Sequence, residues 1–135
     1  MHDYTLRGSP TIRSVRGELR NLDSVDAPES LAGFRPSDPQ SFELAIAATI
    51  GPEGGEGGDL FYFTVCTADW LNANPPTKGF AFLHGHVLVE RWDYELVKRA
   101  IGDLCLHTHG SNWDEIATKL CLYGDWEFAD YREGV

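Results

Sequence analysis

The chain has 135 residues, 42% of them hydrophobic and 12% aromatic, and its 21 acids against 11 bases give a net charge of −10. That length suits one domain that buries about two thirds of its unfolded surface, and the apolar content excludes intrinsic disorder. A surface this acidic is a poor partner for nucleic acid or an anionic membrane, whereas a basic macromolecule would be steered toward it.

In chain order, residues 1–10 read as a flexible N-terminus, 11–132 as a single domain and 133–135 as a tail. Met1–Arg7 has no apolar signal core, and the longest apolar run, Leu44–Ile50, falls well short of the ~18 residues of a membrane span. With the odd, widely spaced set Cys66, Cys105 and Cys121, this leads to the expectation of reduced thiols in a cytoplasmic protein.

Thr11–Leu19 alternates loosely and predicts a first strand. Asn21–Ser41, rich in Asp, Ser and Pro, reads as a loop with a helical turn near Glu29–Ala32. Phe42–Ile50 has the period of two that marks a half-buried strand, and Leu60–Cys66 is β-branched and aromatic like an antiparallel partner. The glycine-rich run Gly51–Asp59 between them predicts a mobile hairpin tip. Its Glu53, Glu56 and Asp59 would repel phosphate, and it lacks the Lys and Ser/Thr of a P-loop.

Phe80–Phe82 and His86–Glu90 offer further strand material. The period then changes: Tyr94, Val97, Ile101 and Leu104 share one helical face behind Asp93 as N-cap, with Gly110 as the expected stop. Ser111–Asp114 matches a capping box for a second helix carrying Trp113, Ile116, Ala117 and Leu120. Strands first and helices last predict an α+β domain. Its antiparallel sheet of about four strands would be covered on one face by a C-terminal antiparallel helix pair.

The C-terminal segment interleaves Trp126, Phe128 and Tyr131 with Asp125, Glu127 and Asp130. A last helical turn would put the apolar side chains inward and the carboxylates outward, and Trp and Tyr are good interface anchors. The candidate partner-binding residues are therefore Asp125, Trp126, Glu127, Asp130 and Tyr131, with Glu53, Glu56 and Asp59 as a second cluster. The C-terminal cluster is favoured, because a helix end is ordered whereas a glycine loop loses freedom on docking.

No catalytic motif is present. Cys66 ends a strand-like run, where a buried and inert thiol is the default. His84 and His86 share a strand face and His107 and His109 lie near a helix end, but no metal-ligand spacing joins them. Neither a metal nor a cofactor is expected. A small metal-dependent enzyme using His84 and His86 with His107 or His109 is the alternative, and an acidic adaptor for an unrelated basic protein is another.

One run of segments resembles the immunity protein 8 family of bacterial polymorphic toxin systems. It comprises Phe63–Leu71, Gly85–Glu90, Trp92–Glu95, Trp113–Ile116 and Trp126–Arg132. Ala68 stands where the family pattern leads one to expect proline. The resemblance implies a small cytoplasmic α+β protein that binds a cognate toxin and blocks it. It brings no catalytic motif and no fixed toxin-binding positions. Charge agrees independently: a nuclease toxin presents a basic cleft, which carboxylates can fill in place of phosphate oxygens.

Overall fold

A computed structural model describes residues 14–26 and 30–129. Alternation places the core. In the strand Glu43–Pro52 (β2), Leu44, Ile46, Ala48 and Ile50 are buried, and in Asp59–Cys66 (β3), Phe61, Phe63 and Val65 face the same way. These two strands pair antiparallel from Glu43↔Cys66 to Ile50↔Asp59. On the far side of β2 lies Val15–Ser24 (β1), also antiparallel.

The N-terminal strand continues beyond the expected Leu19 because Leu22 is buried beside β2 while Asn21 and Asp23 face outward, which disguises it as loop. Its register shifts between Leu19 and Asn21, a bulge at Arg20. The expected helical turn appears as a 3-10 turn at Leu31–Gly33, capped by Ser30.

After β3, Thr67 turns the chain into a short helix, Ala68–Ala73 (α1), by accepting the Trp70 N–H on Oγ1. Phe80–Phe82 is not a strand. Only His86–Leu88 (β4) joins the sheet, parallel to β3 through Thr64↔His86 to Cys66↔Leu88. Tyr94–Leu106 (α2) begins where expected, with Asp93 Oδ1 accepting from Glu95 and Leu96. It ends before Gly110, which instead pairs with Val15 in His109–Gly110 (β5). The second cap is shifted by one residue. Asn112 Oδ1 accepts from Glu115 N, and Glu115 Oε1 accepts from Ser111 N, starting Trp113–Leu120 (α3).

Asp125–Trp126 (β6) then pairs antiparallel with the start of β3. Among the described residues the sheet has six strands, in the order β4-β3-β2-β1-β5 with β6 beside β3. The α+β class therefore holds, but the sheet is larger than four strands and not wholly antiparallel. Strand β5 lies between the two helices in sequence, so α2 and α3 pack chiefly on the sheet and not on each other as a hairpin.

Candidate partner-binding surface

The glycine-rich hairpin and the C-terminal segment, far apart in sequence, touch where β3 begins, at Asp59 and Leu60, while Glu53 lies toward β1 and β5 and Asp125 toward β4. Strand β6 lies against β3 through Phe61↔Trp126 and Tyr62↔Asp125. Asp125, Trp126 and Glu127 thus sit on a strand and the turn after it, not on a helical turn. A helix would have left the N-terminal edge of β3 unpaired; here Leu60 O accepts from Glu127 N at 3.0 Å, and Leu60 N donates to Glu127 Oε2 at 2.7 Å. Trp126 is buried and stacked on Phe61 at 6.1 Å, while Phe128 stays partly exposed. Asp130 and Tyr131 lie outside the described residues.

The acids differ in what they touch. Asp59 Oδ2 accepts two indole N–H groups, Trp113 Nε1 and Trp126 Nε1, each at 2.9 Å. Glu53 takes the Arg16 guanidinium in two hydrogen bonds, at 2.9 and 3.1 Å. Those bonds hold the Glu53 carboxyl below the usual carboxylate range and raise Arg16. Asp125 lies 3.2 Å from His84 Nε2. Glu56 is exposed at the hairpin tip.

That tip is held by a side chain from β1. The bulge turns Arg20 onto the loop, where Nη1 donates to Gly55 O at 2.9 Å and Nη2 donates to Pro52 O. The mobile tip expected from glycine content is thereby tied to the sheet.

The histidines are not gathered. His84 and His86 lie at the β4 edge and His109 in β5 at the opposite edge, with His107 just before it. His107 Nδ1 and His109 Nε2 bond to the carbonyls of Asp103 and Leu106 at 2.7 and 3.1 Å. Among the described residues no group of three His, Cys, Asp or Glu side chains is placed to hold a metal ion. The metal-enzyme alternative, His84 and His86 with His107 or His109, is thus pulled apart by the sheet order. Burial raises the Cys66 thiol, with a further push from Glu43, and drives Cys105 to about 12, so both stay protonated at neutral pH.

A second surface was not legible in the sequence. Between α1 and β4 the chain runs as an irregular ridge, and Phe80, Phe82 and Leu83 on it are exposed, Phe82 at 93%. Phe80-Ala81-Phe82 reads as strand by composition; the glycines on either side, Gly79 and Gly85, are the available signal for a loop, and both take a positive φ. Beside the ridge, the turn after α3 exposes Leu122 and Tyr123. Gly124 permits this close passage, since a Cβ there would come within 2.6 Å of the Phe63 ring.

Among the described residues no helix is long and apolar enough to cross a membrane. In comparison with known proteins, a family model described as Immunity protein 8 matches residues 17–131. No curated protein and no solved structure matches the chain.

Proposed function

The chain belongs to the Immunity protein 8 family, and from that premise we propose that it binds a basic, nuclease-type toxin and inhibits it stoichiometrically by occlusion. The family match across residues 17–131 carries the reading. The net charge of −10 supports a basic partner, because opposite potentials speed encounter and fix orientation. The candidate acids Glu53 and Glu56 on the β2–β3 hairpin and Asp125 and Glu127 at β6 are all exposed. They are the proposed acidic rim of the contact, and Asp130 and Tyr131, outside the described residues, are its further candidates.

Inhibition by occlusion needs no catalytic residue and no cofactor. Carboxylates occupy the positions that substrate phosphates take in the toxin's cleft, and the bulk of the domain closes the substrate path. The protein acts in the cytoplasm, where an unblocked toxin would meet its substrate.

The test is to titrate the activity of a toxin domain encoded in the neighbouring reading frame with this protein. Activity should fall linearly and vanish at equimolar protein. Full activity in the presence of excess protein would overturn the reading.

A further inference from the structure

The ridge before β4 separates two apolar cavities. One, of about 330 Å³, is floored by Phe63 and Ile101 and walled by Leu104 and Leu122. The other, of about 290 Å³, is lined by Trp70, Leu71 and Pro76. Leu83 and His86 line both. The ridge is fixed at its C-terminal end, where Gly85, at φ +77°, accepts the Thr64 N–H on its carbonyl at 2.8 Å.

Solvent exposure of large side chains is concentrated here: Phe82 at 93% and Leu122 at 73%, with Phe80, Leu83 and Tyr123 around them. Scattered apolar residues on a surface need no explanation, but a contiguous group beside apolar cavities marks an interaction site. Glu43 lines the second cavity, Asp125 reaches His84 at the first, and neither cavity is lined by Lys or Arg.

We propose that the Phe80–His86 ridge with its two flanking cavities is the anchor site for the toxin, receiving an apolar side chain flanked by Lys or Arg on the toxin surface. This rests on the immunity reading and adds to it where the binding energy resides. The occupant follows from charge complementarity. A second copy of this chain carries the same net charge of −10, and like charges across an interface repel. Buried apolar anchors set the dwell time of a complex, while rim charges set the rate of capture.

The test uses the full chain and the neighbouring toxin domain, with Phe82→Ala, Phe82→Asp and Leu122→Ala compared with wild type in stopped-flow and dissociation measurements. Both positions are exposed, so the variants should melt like wild type. Phe82→Ala should raise Kd by roughly 30-fold, the scale of an interface hot spot, almost entirely through faster dissociation. If wild type binds and all three variants bind equally well, the anchor site is wrong and the immunity reading stands. A wild type that does not bind the toxin at all removes both. If sedimentation shows a dimer that Phe82→Asp dissociates, the ridge belongs to a second copy and the proposal is overturned.

Discussion

Asp59 and Trp126, 67 residues apart in the chain, are joined by a 2.9 Å hydrogen bond from the indole Nε1 to carboxylate Oδ2. The same oxygen accepts Trp113 Nε1, so one carboxylate ties β3 to both α3 and β6. Asp59 is thereby set apart from the other acids of its loop. Asp59→Ala would leave two indole donors without their acceptor, at a cost of about 1–3 kcal/mol. Asp59→Asn keeps an acceptor oxygen and should lose less. Urea denaturation of the two variants checks this; Asp59→Ala unfolding at the wild-type midpoint would contradict it.

Arg20 should matter for the hairpin more than for the core. Its guanidinium donates to Pro52 O and Gly55 O, and Nε is buried without a partner of its own. Replacing it with Met removes two charge-assisted hydrogen bonds while retaining much of the packing, for an expected loss of about 1–3 kcal/mol. Amide exchange at Gly55 should quicken in Arg20→Met. Unchanged protection there would show that the loop does not depend on the clamp.

The Arg16–Glu53 pair gives a pH dependence of known sign. Glu53 ionises below the usual carboxylate range because Arg16 donates two hydrogen bonds to it. A carboxylate lowered in the folded state stabilises the fold above its unfolded value, and that contribution is lost as pH falls through the lowered folded value. Carboxyl carbon NMR should show Glu53 titrating below the ordinary carboxylate range and returning toward it in Arg16→Ala. An identical Glu53 titration in both proteins would contradict the pairing in solution.

How much of this could be read from the sequence depended on how local the cause was. Strand β2 shows itself in the sequence through its period of two, β3 through its β-branched and aromatic composition, and α2 through Asp93 and its apolar face. Helix α1 has no buried residue, so no apolar period announced it. Strand β6 is two residues long and is defined by its partner at Phe61 and Tyr62, which makes it invisible to any pattern in 125–126 alone. The meeting of Asp59 with Trp126 has the same origin. The exposed ridge reads as a strand because Phe80 and Phe82 are strand-formers by composition, yet among the described residues no backbone pairs with them.

Thiol chemistry separates the core from the surface. Cys66 and Cys105 are fully buried, and burial raises both thiols. A thiol-specific reagent at neutral pH should therefore leave them unmodified in the native protein and reach them only as it unfolds. Mapping the modified cysteines by peptide mass spectrometry before and after denaturation provides the check. Rapid native labelling of Cys105 would contradict its place in the core.

The central claim is that this acidic domain captures a basic toxin. The association rate with the neighbouring toxin domain as a function of salt tests it most directly, for wild type and for the Glu53→Gln, Glu56→Gln, Asp125→Asn variant. Asp59 and Glu127 are left intact because they hold β3 to β6. Screening shortens from ~10 Å at 0.1 M salt to ~3 Å at 1 M, so steered capture must slow as salt rises. The account predicts a steep fall for wild type, a slower rate for the variant at low salt, and convergence of the two at high salt. A wild-type rate that is flat in salt and equal to the variant's would contradict it.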